Sequence, residues 1–491
     1  MSAIIDALWR ARRGTRGTAA LVGADGALSY GELAEQVHAL AGRLRSANAR
    51  AIALLAENGI DWIIADLAGL ASGATVVPVP PFFSPAQVSH LLRAAPLDTL
   101  LADRAGLPQG SGFVATGEAS GSLAWYRRER TLASAGEGIA KVTFTSGSTG
   151  EPKGVCLGRE GIERTAIGLA QMLRDLGIRQ HLCVLPLATL LENVAGVYTA
   201  LLLGATVHVP PLAAVGIGGS SSVDGPALRH AIDRTGAHSV ILLPQVLKAL
   251  TRAAAGWNDN PLRFAAVGGG RVADADIDAA HAAGIPAFQG YGLSECHSVV
   301  ACNRPGAYRR GSVGRPLPGI RIDASDDGEL LVRGRSMRGY LGEAPLAGEA
   351  PVSTGDLGRV DEDGFVYITG RSKNVFVTSF GRNVSPEWPE ALLLHEGAIV
   401  QAVVHGEGRP ENVAIVVPAH SGIGQAAIAA AVAQANRGLP DYARIGAWIV
   451  ADEPFTPANG LATASGKPRR GAVLARYLPD DSAFSSPRNL Q

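Results

Sequence analysis

Residues 141–155 read Lys-Val-Thr-Phe-Thr-Ser-Gly-Ser-Thr-Gly-Glu-Pro-Lys-Gly-Val. These types suit a polyphosphate. Gly147, Gly150 and Gly154 lack a Cβ, so the backbone can turn sharply and approach a ligand. Ser146, Ser148 and Thr149 offer hydroxyls and Lys153 a cation. Backbone N–H groups in such a loop can form an anion-binding nest. It is not a Walker loop, because Gly154 follows Lys153 where Ser or Thr would stand, and no strand-linked G-x-G-x-x-G accompanies it. Farther along, Gln289-Gly-Tyr-Gly-Leu-Ser-Glu295 supplies a flat ring (Tyr291), a hydroxyl (Ser294) and a carboxylate (Glu295). Ser353-Thr-Gly-Asp356 places a carboxylate at a turn. Taken singly, these last two stretches read equally well as core packing and an ordinary turn.

The chain has 491 residues, enough for two or more domains. Its 44 basic and 44 acidic residues balance, which argues against nucleic-acid binding through bulk charge. Cys156, Cys183, Cys296 and Cys302 form no C-x-x-C pair. They indicate a reduced, cytoplasmic setting, with neither a disulfide framework nor a zinc site. The N-terminal residues lack a secretory pattern. The least polar segment, Val197 to Gly219, is broken by Gly204, His208, Pro210 and Pro211, so no integral membrane segment is expected.

The positioning elements alternate between strand and helix. Ser29-Tyr-Gly-Glu32 and Ser84-Pro-Ala-Gln87 are capping boxes that open helices. Ala51 to Ala56 and Ala74 to Val79 are short apolar runs, as buried parallel strands are. Ala105 to Gly138 is read as surface loops. A helix is expected over Arg159 to Leu176, then strands at Leu182–Leu185, Ala205–Val209, Val240–Leu243 and Phe264–Val267. Helices separate them at about Val194–Leu203, Ala227–Thr235, Gln245–Ala254 and Asp274–Ala283. This is an α/β fold with a large N-terminal domain of doubly wound sheets. Ligands in such sheets sit beyond strand carboxyl ends. From about Gly311 the pattern becomes a small β subdomain, with strands Glu329–Arg333 and Phe365–Thr369. Beyond Arg371 comes a small, mobile α+β C-terminal domain. It begins with a helix capped by Ser385 and continues through strands Ile399–Val404, Val413–Val417 and Ala447–Val450. The expected boundaries are 1–371, 372–478 and a disordered tail, 479–491.

Thr145-Ser-Gly-Ser-Thr-Gly-Glu-Pro-Lys-Gly154 resembles the phosphate-loop signature of the adenylate-forming enzymes, which include acyl-CoA synthetases, nonribosomal adenylation domains and firefly luciferase. Four later stretches resemble that family in its own order. They are Gln289–Glu295, Ser353–Asp356 with Gly364-Phe-Val-Tyr-Ile-Thr-Gly-Arg371, Ser379-Phe-Gly-Arg-Asn-Val-Ser-Pro386, and Thr456-Pro-Ala-Asn-Gly-Leu-Ala-Thr-Ala-Ser-Gly-Lys467. The resemblance implies an ATP- and Mg²⁺-dependent ligase that turns a carboxylic acid into an acyl-adenylate and passes it to a thiol. It implies catalytic roles for Thr145, Lys153, Glu295 and Lys467, with Glu295 holding the metal. It implies ATP contacts from Ser146, Gly147, Ser148, Thr149, Gly150, Gly268, Gly269, Gly270, Gln289, Gly290, Tyr291, Gly292, Ser294, Asp356 and Arg371. Lys373 falls at the family's hinge. Gly381 falls where the pantetheine arm passes, although Arg382 departs from the Glu or Lys often found after this glycine.

Within the family, Leu185-Pro-Leu-Ala-Thr-Leu-Leu-Glu192 looks most like the long-chain acyl-CoA synthetase branch. Amino-acid-activating relatives usually place an Asp in this region, and counting back from Gly204-Ala205 puts Leu191 there. An apolar wall suits an apolar acid, fatty or arylaliphatic, because an ammonium would lie unpaired against it. Thr189, Leu191 and His297 are the expected acyl-pocket residues. Glu192 is expected to be a structural carboxylate at a helix start. CoA is the expected acceptor. The alternative is a phosphopantetheine thiol on an acyl carrier protein of a natural-product pathway. An acyl-AMP ligase and a non-catalytic nucleotide-binding homologue rank lower.

Overall fold

The computed structural model describes residues 3–14, 18–103, 111–128, 136–145, 152–218, 222–270, 272–346, 350–378 and 383–478. Both capping boxes form. The Glu32 amide donates to Ser29 Oγ (3.2 Å) while the Ser29 amide donates to the Glu32 carboxylate (2.8 Å). Ser84 and Gln87 exchange the same pair of bonds ahead of helix Pro85–Ala94. Each box satisfies amides that the first helical turn leaves without partners.

Two large mixed sheets carry the N-terminal part. The nine-stranded sheet has a parallel centre. Its strands there run Ala287–Leu293, Phe264–Val267, Ser239–Leu242, Gln180–Leu182, Thr206–His208 and Ala19–Gly23. The eight-stranded sheet is parallel through Ile139–Thr145, Thr75–Pro78, Ala51–Leu55 and Thr99–Ala102. Its antiparallel partner strands lie outside these. The largest apolar core fills the space between the two sheets, with Leu21 and Val207 from one and Leu54, Leu101 and Leu157 from the other. A four-stranded antiparallel sheet follows, and then a three-stranded sheet, Ile399–His405, Asn412–Pro418 and Ile445–Val450, with its own cores. Among the described residues no helix is long and apolar enough to cross a membrane.

Three sequence expectations need correction. Residues 113–128, read as loop, form a hairpin of strands Phe113–Ser120 and Leu123–Arg128 on the sheet edge. Leu123 and Trp125 bury one face, and the Ser122 amide donates to Asp61 (2.6 Å) at the turn. The strand expected over 182–185 instead spans Gln180–Leu182. It ends there because the amides of Val184 (3.1 Å) and Leu185 (2.8 Å) are taken by the Glu192 carboxylate. Ser385 does not cap the next helix, Glu387–His395, but donates its hydroxyl to the Glu387 side chain (2.7 Å).

A buried charge pair ties the two sheets together. Lys141, on the strand that leads into the glycine-rich stretch, lies 2.7 Å from Asp66 of helix Ile60–Ser72, and both side chains are shut off from solvent. Asn193 donates to Asp66 (2.9 Å), as does the Tyr198 hydroxyl. Asn193 and Tyr198 belong to a π-helical crossover of the other sheet, Leu191–Tyr198. Burial lowers the Lys141 pKa, and Asp66 opposes that shift. A buried charge stripped of its partner costs about 3–5 kcal/mol. Asp66→Ala should therefore lower unfolding stability by about that much in a denaturant titration. A loss below about 1 kcal/mol would contradict this role.

Candidate active site

The strands on either side of the glycine-rich stretch pair antiparallel. Thr145 ends one strand of the eight-stranded sheet and pairs with Lys153, the first residue of the returning strand Lys153–Gly158. Ser146, Gly147, Ser148, Thr149 and Gly150 lie outside the described residues, as do Gly381 and Arg382. Lys153 lies 5.3 Å above the Tyr340 ring, and its ammonium is 3.9 Å from the exposed Glu343 carboxylate. The Tyr340 hydroxyl donates to Glu295 Oε1 (3.0 Å). The amide of Met337, three residues before Tyr340, donates to the Glu295 carbonyl (2.8 Å). Burial and then Glu295 push the Tyr340 pKa up to about 12. Sequence reasoning missed Tyr340. Nothing in its local pattern, Arg-Gly-Tyr-Leu, signals a contact across the chain to residue 295.

Asp356 and Arg371 are cross-strand partners in the small sheet. The Asp356 carboxylate is nearly closed off from solvent and accepts from Arg371 Nε (2.8 Å) and the Tyr291 hydroxyl (2.7 Å). Burial, reinforced by Asp356, raises the Tyr291 pKa well above its ordinary value. Tyr291 and Glu295 thus link the two clusters, because they lie four residues apart on one stretch. Gly292 must be glycine. A Cβ there would fall 1.8 Å from the Ser298 carbonyl, at a bulge between strands Ala287–Leu293 and Ser298–Cys302. Ser294 opens the short turn that carries Glu295. The Gln289 side chain is buried and donates to the Val272 carbonyl (3.2 Å), so its amide holds the backbone. Gly290 lies beside Cys302.

Gly268, Gly269 and Gly270 follow the end of strand Phe264–Val267. Gly269 has φ +75°, and a Cβ on it would stand 2.8 Å from Leu243. Leu191 approaches the same place, 3.8 Å from the Cβ positions of both Gly268 and Gly269. Leu191 opens the π-helix, a form that recurs at functional sites. The Thr189 hydroxyl is used on the Pro186 carbonyl (2.7 Å). His297 is buried against Gly161 in a left-handed conformation, and neither ring nitrogen has a hydrogen-bond partner. Burial, then Arg335 and Arg338, push its pKa down to about 3, so it stays a neutral imidazole. Glu192 does not face the Leu191 wall. Besides the two amides above, it meets His181 Nε2 (3.0 Å), whose other nitrogen meets Ser239 (2.9 Å). Cys183 joins this cluster, and burial and Glu192 raise its thiol pKa.

Lys467 arrives from the C-terminal lobe. Its loop is tied internally by Thr463 N to the Lys467 carbonyl (2.7 Å) and Lys467 N to Thr463 Oγ1 (3.1 Å). Arg470 fastens it to its own lobe, donating to Glu390 (2.6 Å) and to the Val404 carbonyl (2.7 Å). Ala464 joins the apolar core that also holds Val142 and Phe144 of the strand that ends at Thr145. Lys467 sits where withdrawal from water and then Arg371 lower its pKa, while Asp356 opposes them. Lys467 is nonetheless exposed, so that withdrawal is partial. Lys373 lies exposed in the turn after Arg371.

Asp356, Arg371 and Tyr291 form one hydrogen-bonded cluster, and Lys467 of the C-terminal lobe lies within its electrostatic reach. The profile of the AMP-binding enzyme family matches residues 8–341, and that of the AMP-binding enzyme C-terminal domain matches residues 373–480. The chain belongs to the AMP-binding enzyme family. It is 28% identical to the long-chain-fatty-acid–CoA ligase FadD15 of Mycobacterium bovis, over 92% of this chain and 91% of that one. It is also 28% identical to the fatty acid–[acyl-carrier-protein] ligase MmaC of Mycobacterium marinum, over 74% and 76% of the two chains. The fold matches o-succinylbenzoate coenzyme A synthetase (MenE) from Bacillus subtilis in complex with ATP and magnesium. The TM-score is 0.74, at 21% identity and with 95% and 98% of the chains covered.

The Glu192 cluster yields a direct test. Glu192→Ala strands two buried amides and an imidazole, and should cost about 3 kcal/mol or more of unfolding stability. A variant of unchanged denaturation midpoint that loses only affinity for an acid would place Glu192 in the pocket instead.

Proposed function

We propose that this enzyme activates an apolar carboxylic acid with ATP and passes the acyl group to a thiol. The observation that carries this reading is Lys467, presented by the C-terminal lobe within electrostatic reach of Asp356 and Arg371. In the first step a carboxylate oxygen attacks the α-phosphorus, and the bond to the bridging oxygen of pyrophosphate breaks. In the second, a thiolate sulfur attacks the acyl carbon, and AMP leaves with the anhydride oxygen. No general base is needed in the first step, since the acid is already ionised at neutral pH. A preorganised cation near the attacked phosphate acts where charge develops.

The remaining residues bind and orient. Asp356, fixed by Arg371 and Tyr291, is shaped to accept from a ribose diol. The Tyr291 ring and the Gly268–Gly270 turn supply a flat, backbone-lined slot for adenine. Thr145, Lys153 and the Ser146–Gly150 loop are assigned to the departing phosphates. Glu295 fits Mg²⁺: its oxygen is hard and is oriented by Tyr340. When bound, Mg²⁺ would neutralise phosphate charge. Lys373 is assigned as the hinge on which the lobe turns between steps, with domain boundaries at 371 and 478, and Gly381 as the opening for the thiol arm.

The acid is taken to be fatty or arylaliphatic because Leu191 and Leu243 wall the Gly268–Gly269 turn and Glu192 is fully engaged elsewhere. Similarity to FadD15 supports CoA as the acceptor. Similarity to MmaC supports an acyl carrier protein as the second reading. Four buried, unpaired thiols are consistent with a cytoplasmic setting. Pyrophosphate release across a panel of fatty, aromatic and amino acids identifies the acid. AMP release with CoA and with holo-carrier protein identifies the acceptor. No turnover with CoA would sink the first reading. Lys467→Ala should cut adenylation by about 10²–10³ while ATP binding changes little. Equal loss of both would contradict the role given to Lys467.

A further inference from the structure

The C-terminal lobe touches the rest of the molecule at a second place, remote in sequence from Lys467. Helix Glu387–His395 ends against two helices of the N-terminal part, Pro244–Ala253 and Asp274–Ala282. There the His395 imidazole donates from Nδ1 to Asp276 Oδ1 (2.8 Å). Lys248 Nζ lies 3.3 Å from the other oxygen of Asp276 and also donates to the Leu394 carbonyl, which closes the last turn of the helix. Asp276 and Lys248 are both largely withdrawn from solvent. Arg252 and Glu396 are the other charged groups that act on Lys248.

The two receiving helices are not incidental. One begins at Pro244, which packs on Gly270, and the other begins four residues beyond Gly270. The contact therefore lies on helices that begin beside the Gly268–Gly270 turn. Two contacts fix an orientation far better than one. Ala464 pins the lysine loop, while Asp276 and Lys248 pin the far end of the same lobe. The His395 side of this contact stays partly open to solvent, which weakens it. It holds a lobe without locking it, as a domain that must turn requires.

We propose that Asp276 and Lys248 form a polar latch that grips the Leu394–His395 helix end and holds the C-terminal lobe in the orientation that delivers Lys467 for adenylation. They act as positioning residues, through the lobe and not on the substrate. The latch must open for the lobe to turn toward thiol transfer, so it favours the first half-reaction over the second. This inference rests on the two-step reaction proposed above.

The test uses the full-length enzyme with Asp276→Asn, Lys248→Met and His395→Ala. Acid-dependent pyrophosphate release should fall about tenfold in a single turnover. Thioester formation from synthetic acyl-adenylate should stay within about twofold of wild type, or rise. Thermal midpoints should be unchanged. Parallel loss of both half-reactions with a lowered midpoint would make these residues merely structural and overturn the proposal, as would unchanged pyrophosphate release. Hydrogen–deuterium exchange of the ligand-free protein needs no substrate. Asp276→Asn should speed exchange in the peptides spanning 387–395 and 461–470 and leave the two large sheets as they are. Unchanged exchange there overturns the latch whatever the acid panel gives. Absence of pyrophosphate release from wild type with every acid, alongside the expected exchange, overturns the reaction instead.

Discussion

Asp356 is the point on which the structure turns. A carboxylate this enclosed is costly unless both oxygens are engaged. Here one oxygen takes Arg371 from the neighbouring strand and the other takes Tyr291 from strand Ala287–Leu293 of the nine-stranded sheet. The two donors belong to different sheets, so the carboxylate fixes their relative placement. Lys467, from a third part of the chain, lies where Arg371 and Asp356 act on its charge in opposite senses. Three parts of the chain thus bear on one small anionic group.

The same logic governs the interior beneath the site. Lys141 and Asp66 are expensive to bury singly and tolerable only as a hydrogen-bonded set with Asn193 and Tyr198. That set joins the strand ending at Thr145 to the π-helix beginning at Leu191. Glu192, next along, is held by two amides and His181. The strand ending at Thr145 and the Leu191 wall are therefore positioned by buried polar contacts, not by the wall itself. Leu191 is left free to face Gly268 and Gly269.

Local signals were legible in the sequence. Ser29–Glu32 and Ser84–Gln87 announced helix starts because a capping box is complete within four residues. The parallel strands at Ala51 and Thr75 showed as short apolar runs because both faces are buried. The Thr145–Lys153 stretch stood out because its glycines and hydroxyls are contiguous. What depended on distant partners was not legible. The 113–128 hairpin carries Thr, Gly, Glu and Ser, and it is a strand pair only because Trp125 and Leu123 find an apolar core. Tyr340 is an ordinary turn tyrosine until residue 295 is brought beside it. The early end of strand Gln180–Leu182 reflects a carboxylate ten residues downstream of it that captures the next amides. No local periodicity encodes such a capture.

Exchange of labelled pyrophosphate into ATP tests the central claim most directly, because it reads formation and reversal of the acyl-adenylate without any thiol. The account predicts exchange that appears only when an apolar acid is present and that needs no CoA. Exchange that ignores the acid, or that is absent with every apolar acid offered, would contradict it.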